Sequence, residues 1–223
     1  KGNNRFLDVG CGEGFVLKAA EDFEYDVSGI DFTDFALKKF FPELIERLMT
    51  GHPYKVMQDL QREEKQFGNI SLMNVLEHVR EPSYLLETVK SLMLSDGLLA
   101  ITIPNDYSRL QHKLLEMKHI EDEYWFAPPD HLYYWNTENI KDFLLSNDFE
   151  ILDAFGDFPI EMYLFHPGSN YKKDSGQGKK AHRARIEIDL LSREAGLENV
   201  LDLRRSLFKT GLCRNQTLIV QKK

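Results

Sequence analysis

Residues 5–15 of this chain read Arg-Phe-Leu-Asp-Val-Gly-Cys-Gly-Glu-Gly-Phe. Arg5 to Val9 has the apolar character of a buried strand, and from Phe15 to Phe23 apolar and small residues recur at helical spacing. Glycines between a strand and a helix permit positive φ, and the free N–H groups at a helix start attract a carboxylate or a phosphate. The stretch therefore predicts a strand, a tight turn and a helix that together bind a nucleotide-like ligand.

Strands and helices alternate through the first hundred residues. We predict four further strands, at Asp26–Ile30, Tyr54–Met57, Ile70–Met73 and Leu98–Ile103. We also predict two helices, at Thr33–Leu48 and Pro82–Met93. Such alternation is typical of a parallel sheet that is covered by helices on both faces and joined by right-handed crossovers. We therefore predict an α/β fold with a doubly wound, mostly parallel sheet.

The second half of the chain is less regular. Residues 106–135 form an aromatic loop, and a helix at Asn136–Leu145 and strands at Phe149–Ala154 and Gln216–Val220 complete a sheet of seven strands. Between the last two strands we predict a basic, mobile loop, residues 168–185, and helices at 186–195 and 198–208. These elements predict an α/β core at residues 1–156, a helical insertion at 157–211 that contributes to an acceptor site, and a last core strand at 212–223.

Composition excludes several classes of protein. Acidic residues outnumber Lys and Arg by 36 to 28, for a net charge of −8, so a general affinity for nucleic-acid phosphates is not expected. No apolar run approaches the ~18 residues of a membrane span. Cys11 and Cys213 form no metal-binding pattern or disulfide framework, which favours a cytoplasmic protein without a thiolate metal site. The chain begins at Lys1 without Met, and we expect that a segment precedes it.

Two phosphate-binding fingerprints do not fit the chain. The dinucleotide pattern G-x-G-x-x-G/A, counted from Gly10, requires Gly or Ala at the position of Phe15. The P-loop pattern fails because Gly178-Lys179 is followed by Lys180. A nucleotide-like ligand other than NAD or a nucleoside triphosphate is therefore favoured.

The glycine turn resembles the first motif of the class I S-adenosylmethionine-dependent methyltransferases, an acidic residue followed by G-x-G-x-G. Asp8, Gly10, Gly12 and Gly14 match this motif. The resemblance implies a Rossmann-like methyltransferase fold and S-adenosylmethionine as the cofactor. It also implies that Asp8 holds the ammonium group of the cofactor and that the turn, including Cys11, wraps its methionyl end. The alternative is a turn that serves only to pack the strand against the helix.

Acidic residues at two further strand ends are candidate cofactor contacts. Asp31 follows the second strand, where its two carboxylate oxygens can accept hydrogen bonds from both hydroxyls of a ribose, and Phe32 can pack on the adenosine. The same geometry would serve NAD, so Asp31 alone does not discriminate between the two cofactors. A plain helix cap is the alternative, which the glycine motif disfavours. Asp59 resembles the family's acidic residue near the adenine amine, with Leu60 beside it; a solvated loop carboxylate is the alternative.

Residues 74–82, Asn-Val-Leu-Glu-His-Val-Arg-Glu-Pro, resemble the signature that follows the fourth strand in a large subgroup of these enzymes. The resemblance implies that Asn74 and Val75 line the cofactor and that His78 lies near it. His78 could instead be a capping or packing histidine. The resemblance continues to about residue 156 and does not identify the methyl acceptor.

A hydroxyl acceptor must lose a proton, and a histidine is the natural recipient near neutral pH. His131, in the aromatic loop after the fifth strand, is the first candidate base, and His78 is the second. His131 could also be structural. We expect a small-molecule acceptor: either a sugar or nucleotide-linked sugar whose phosphate meets the basic stretch Lys172–Arg185, or a quinone or phenol. We expect no metal ion, nucleic acid or membrane partner.

Two other functions stay open. A methyltransferase-like subunit could bind the cofactor or a partner without turnover, and an NAD-dependent oxidoreductase would share Asp31. The combined presence of the glycine motif, Asp31 and residues 74–78 favours an active S-adenosylmethionine-dependent methyltransferase.

Overall fold

The computed structural model of the chain describes residues 4–223. Residues 1–3 lie outside the described residues. Within the described part, strands and helices follow in the order β1 (Arg5–Val9), α1 (Phe15–Asp22), β2 (Asp26–Asp31), α2 (Phe35–Phe40), β3 (Leu48–Thr50), α3 (Pro53–Arg62), β4 (Phe67–Met73), α4 (Pro82–Leu92), β5 (Met93–Pro104), α5 (Arg109–Glu116), α6 (Asn139–Ser146), β6 (Phe149–Gly156), α7 (Gly178–Arg193), α8 (Leu197–Thr210) and β7 (Asn215–Lys222).

The strands of the described residues form one seven-stranded sheet with the order β3-β2-β1-β4-β5-β7-β6. β1 pairs in parallel with both β2 and β4, and β2–β3 and β4–β5 are also parallel. β6 and β7 run antiparallel, since one end of the pair joins the Lys223 N–H to the Asp148 carbonyl and the other joins the Asp157 N–H to the Asn215 carbonyl. The predicted α/β fold with a mostly parallel sheet is confirmed.

Apolar residues of the first strands and helices form the core beside the glycine turn. Leu17 and Ala20 of α1 pack with Val27 of β2, and Leu37 and Leu44 belong to the same buried cluster. The helix predicted from Pro82 is also confirmed, and it buries Leu85, Leu86, Val89 and Leu92. Burial of such a side chain stabilises the fold by about 1.5–3 kcal/mol.

The predicted third strand is wrong. Tyr54–Met57 lies in helix α3, and the third strand is the short β3 that precedes it. Pro53 occupies the first turn of α3, where its missing N–H needs no partner, and Met57 and Leu60 are buried one helical turn apart. A short apolar run fits a strand or a helix equally well, and here packing on one face favours the helix.

The predicted helix from Thr33 to Leu48 is shorter than expected. α2 ends at Phe40, and Pro42 begins a 3₁₀ helix, Pro42–Arg47, that leads into β3. Proline cannot continue a helix, because it lacks the N–H donor and its ring clashes with the preceding turn.

Part of the predicted basic loop is helical. Residues 178–185 form the first half of α7, which runs to Arg193. Lys, Arg and Ala are strong helix formers, and the Arg185–Asp189 ion pair, 3.4 Å between Nη1 and Oδ2, joins residues one turn apart. Charge alone therefore does not predict a loop.

Contacts between residues divide the chain into two compact units. Unit 1 comprises Lys1–Ile103, Asp142–Leu152 and Leu218–Lys223, and unit 2 comprises Pro104–Lys141 and Asp153–Thr217. The domain boundaries at 156 and 211 were predicted from the order of elements along the sequence and not from contacts between residues, and they stay predictions. Among the described residues, no helix combines the length and the apolar character that crossing a bilayer would require.

Candidate functional site

The carboxyl ends of three adjacent strands of unit 1 open into a cavity of about 640 Å³. Each strand contributes the residues at or just after its end to the wall: Val9 and Gly10 from β1, Asp31 and Phe32 from β2, and Asn74 and Val75 after β4. Ligands of open α/β sheets bind at this edge. The remainder of the lining follows β3 and β4: His52, Pro53, Tyr54, His78, Val79, Arg80, Glu81 and Leu85.

The three glycines of the turn have different physical roles. Gly10, Gly12 and Gly14 have φ of 76°, 51° and 84°, in the left-handed region that favours glycine. A Cβ on Gly10 would lie 2.7 Å from Val75 Cγ2, and one on Gly14 would lie 2.2 Å from Leu37 Cδ1. A Cβ on Gly12 would meet no atom within 4 Å. Close packing therefore explains why positions 10 and 14 are glycine, whereas at Gly12 the space beside the backbone is open.

The side chain of Asp31 connects the second strand to the turn. Its Oδ2 accepts a hydrogen bond from the Gly12 N–H at 2.9 Å. Asp31 is half-buried and also lines the cavity. The carboxylate is thus held by the turn while it faces the cavity, as the predicted ribose contact requires.

Asp8 is buried at the end of β1, with 1% of its surface exposed. Ser71 Oγ on β4 donates a hydrogen bond to Asp8 Oδ1 at 2.6 Å. Burial raises the pKa of Asp8 from 3.8 to about 6, and the negative charge of Asp31 adds to that rise although the Ser71 hydrogen bond opposes it. Asp8 lies beneath the turn and is not among the cavity-lining residues, so its predicted contact with an ammonium group stays a prediction.

Cys11 is the buried side chain of the turn. Its backbone N–H donates to the Ile30 carbonyl at 3.1 Å, which fixes the turn against β2. Burial raises the pKa of its thiol to about 12, so the thiol is protonated at neutral pH. Cys11 therefore supports the turn through its packing and its backbone, and its predicted contact with a cofactor stays a prediction.

The motif after the fourth strand curves around the same cavity. Asn74 has a φ of 54°, a conformation that asparagine tolerates better than most residues, and its N–H donates to the Thr102 carbonyl at 2.7 Å. His78 donates its backbone N–H to the Val75 carbonyl at 3.1 Å, and its Nε2 lies 3.8 Å from Oε1 of the buried Glu77. Asn74, Val75 and His78 all line the cavity.

Aromatic rings form one side of the cavity. Phe32, with 65% of its surface exposed, meets the His52 ring edge-on at 5.6 Å, and His52 stacks on Tyr54 at 5.8 Å. The sequence analysis missed His52 and Tyr54 because it placed Tyr54 within a strand. The available signal was His52-Pro53 itself, since proline is frequent in the first turn of a helix.

The structural basis for choosing Asp59 and Leu60 is wrong. Neither residue follows a strand end, because both lie within α3, and neither lines the cavity. Asp59 Oδ1 is 2.7 Å from Arg62 Nη1, and Leu60 is buried in the core. The residues that follow β3 and line the cavity are His52, Pro53 and Tyr54.

His131 belongs to unit 2 and sits beside buried charges. Its Nδ1 lies 3.8 Å from Asp106 Oδ2, and the other oxygen of Asp106 accepts a hydrogen bond from Arg214 Nη1 at 2.9 Å. Arg214 Nε is also 3.5 Å from Glu161 Oε1. Burial raises the pKa of Glu161, while the pKa of Arg214 is raised by the two carboxylates despite its burial. No local sequence pattern indicates this cluster, because Arg214 is 108 positions from Asp106 and 53 from Glu161.

Comparison with protein families adds an independent observation. A family model described as a methyltransferase domain matches residues 1–154. The chain belongs to this methyltransferase family. The matched residues include the whole glycine turn, Asp31 and the motif after β4.

Curated relatives of this methyltransferase are named ubiquinone biosynthesis O-methyltransferase. The protein from Haemophilus ducreyi is 31% identical over 107 residues, which are 45% of this chain and 45% of that protein. The protein from Caulobacter sp. is 26% identical over 159 residues, 68% of this chain and 62% of that protein. The chain thus matches roughly half of the length of these relatives.

Solved structures share the fold. A SAM-dependent methyltransferase from Archaeoglobus fulgidus has a TM-score of 0.58 at 18% identity, covering 100% of this chain and 87% of that chain. The cyclase SpnF has a TM-score of 0.54 at 18% identity, covering 100% of this chain and 76% of that chain. Because one neighbour is titled a cyclase, the fold by itself does not specify methyl transfer.

Proposed function

We propose that this chain is an S-adenosylmethionine-dependent methyltransferase that acts on a small molecule. One observation carries the proposal: the open space beside Gly12 and the carboxylate of Asp31 occur together at the carboxyl edge of the sheet, beside a cavity of about 640 Å³. Support of the turn alone does not explain why Asp31 also lines the cavity.

The residues present fit this cofactor. In the proposal, Asp31 accepts hydrogen bonds from the ribose hydroxyls, Phe32 packs on the adenosine, and the turn at Gly10 and Gly12 takes the amino-acid part. The ionised form of Asp8 supplies a negative charge below the turn for an ammonium group. When bound, the cofactor supplies a methyl carbon attached to a positively charged sulfur.

The chain itself must orient the acceptor, exclude water and remove a proton. Apolar and aromatic side chains make up much of the cavity wall, which favours exclusion of water. For a hydroxyl acceptor, the hydroxyl proton would pass to a histidine nitrogen while the methyl group leaves the sulfur of the cofactor, which becomes a neutral thioether, for the acceptor oxygen. The two candidates for this role are His131, the first candidate from the sequence, and His78, which lines the cavity; loss of the true base should lower turnover by about 10²–10⁴-fold.

The acceptor is proposed to be a phenolic hydroxyl, because the curated relatives are named as O-methyltransferases of ubiquinone biosynthesis. A sugar or a nucleotide-linked sugar is the second candidate, favoured by the basic residues from Lys172 to Arg185. A subunit that binds the cofactor without turnover is the third. We also propose a cytoplasmic location, which fits two buried thiols, Cys11 and Cys213, that form no disulfide.

Calorimetric titration separates these readings. We expect purified protein to bind S-adenosylhomocysteine with micromolar affinity and NAD at least a hundredfold more weakly. Transfer of a labelled methyl group to a panel of catechols, phenols and nucleotide sugars then tests turnover. Binding without transfer to any panel member would favour the binding subunit, and absence of binding at millimolar S-adenosylhomocysteine would refute the proposal.

A further inference from the structure

Unit 2 contains a polar pocket of about 330 Å³ that the proposed methyl transfer does not use. Its walls come from three helix ends within this unit: the start of α5, the segment before α6 and the end of α8. Arg109 and His112 lie on the first wall, Thr137 on the second and Lys209 on the third. This volume is at the lower limit of small-molecule sites, about 300–1,000 Å³.

Two cationic side chains of the pocket have no carboxylate partner. Among the described residues, no acidic group lies within ion-pair distance of Arg109 or Lys209, although Lys209 contributes weakly to the low pKa of Asp153. Some other cations of unit 2 are paired, for example Arg205 with Asp153 at 2.8 Å. Although the chain has a net charge of −8, two unpaired cations on different walls of one pocket create a local positive potential that attracts an anion.

The remaining groups of the pocket are compatible with an anion. The negative end of α8 is largely satisfied internally, since Thr210 Oγ1 donates to the Ser206 and Leu207 carbonyls and Asn105 Nδ2 donates to the Gly211 carbonyl. The pocket also faces the start of α5, where helix geometry adds positive potential. Glu138 is the acidic residue among those that line the pocket. Its charge offsets one of the two cations, so the net charge of Arg109, Lys209 and Glu138 is +1.

We propose that this pocket binds the phosphate or diphosphate group of a small ligand. A guanidinium presents a planar fork of donors that matches phosphate oxygens, and an ammonium adds a point charge. A phosphate monoester carries about −1.5 to −2 charges at neutral pH, which suits two cations better than a single carboxylate does. The inference concerns binding alone and goes beyond the proposed methyl transfer.

Titration with inorganic pyrophosphate tests the pocket without a methyl donor. In amide-resolved NMR of the full chain, we expect pyrophosphate to shift the amides of Arg109, Thr137, Lys209 and Gly211, and acetate to leave them unchanged at equal ionic strength. The double substitution Arg109→Gln and Lys209→Gln should weaken binding at least tenfold. The matched control, Arg193→Gln with Lys39→Gln, removes the same charge from exposed positions outside the pocket and outside the basic stretch Lys172–Arg185, and should leave affinity within twofold.

The titration with pyrophosphate tests the pocket whether or not the chain transfers methyl groups. Pyrophosphate shifts confined to residues outside the pocket, equal effects of acetate, or loss of binding only in the control variant would each overturn the proposal. Because Arg109 and Lys209 are exposed, we expect both double variants to retain the circular dichroism of the parent. Tighter binding of uridine diphosphate glucose than of pyrophosphate would identify the phosphate as part of a larger ligand, whereas equal binding would identify a free phosphate compound.

Discussion

The carboxyl group of Asp8 couples stability to pH at the scale of a single residue. Its pKa is about 6 in the folded chain against 3.8 as the ordinary value, so folding favours the protonated form. The free energy of unfolding therefore falls as pH rises from about 4 to 6. Above pH 6 the ionised Asp8 lowers it by about 3 kcal/mol relative to its value at low pH. In the parent, Asp8 makes the protein about 1 kcal/mol less stable at pH 7.5 than at pH 5. We expect Asp8→Asn to remove this difference, as measured by urea unfolding at the two pH values.

The exposed Glu13 of the same turn provides the control. Glu13→Gln should leave the pH dependence of unfolding as in the parent. If Asp8 holds an ammonium group, Asp8→Asn should also weaken S-adenosylhomocysteine binding at least tenfold while the protein becomes more stable at pH 7.5. A variant that gains stability and keeps its affinity would contradict the proposed role of Asp8.

At the scale of the turn and its helix, two glycines separate packing from ligand binding. Gly14→Ala places a Cβ against the buried Leu37, and we expect it to lower stability by about 2 kcal/mol or more. Gly12→Ala enters open space, so its cost should be limited to the left-handed backbone conformation, about 1 kcal/mol. Thermal unfolding measures both.

Ligand binding should follow the opposite order. Gly12→Ala should weaken S-adenosylhomocysteine binding by at least tenfold, because its methyl group occupies the space that the proposal assigns to the ligand. Gly14→Ala should bind within about threefold of the parent at a temperature where it is folded. Unchanged affinity in Gly12→Ala would favour a turn that serves packing alone.

At the scale of the whole molecule, unit 2 depends on a buried ion cluster formed by distant parts of the chain. Arg214 stands between Asp106 and Glu161, which are 1% and 2% exposed. Arg214→Met would leave two buried carboxylates without their cation, and we expect a loss of about 3–5 kcal/mol. Chemical denaturation checks this value, with Arg205→Gln, which breaks ion pairs that are only partly buried, as a control that should lose much less.

Replacement of the whole cluster tests the same argument. The triple change Asp106→Asn, Glu161→Gln and Arg214→Met removes all three charges and should recover much of the stability lost in Arg214→Met. A triple variant as unstable as the single one would show that the packing of Arg214, and not the uncompensated charge, determines the loss.

The sequence by itself determined the features that depend on neighbouring residues. The glycine turn, its flanking strand and helix, and Asp31 at the next strand end were all predictable, because a turn with positive φ needs glycine and a buried strand needs a continuous apolar run. The α/β fold with a mostly parallel sheet was predictable from the alternation of strands and helices.

Tertiary structure decided what depends on packing between distant segments. Residues 54–57 could form a strand or a helix, and burial of Met57 and Leu60 on one face selected α3, which brought His52 and Tyr54 to the cavity and removed the basis for choosing Asp59. The cluster around Arg214 joins residues 108 positions apart, and no local pattern encodes such a pair. Short apolar runs and single charged residues are ambiguous in isolation, because only their buried neighbours determine which conformation and which partner cost least free energy.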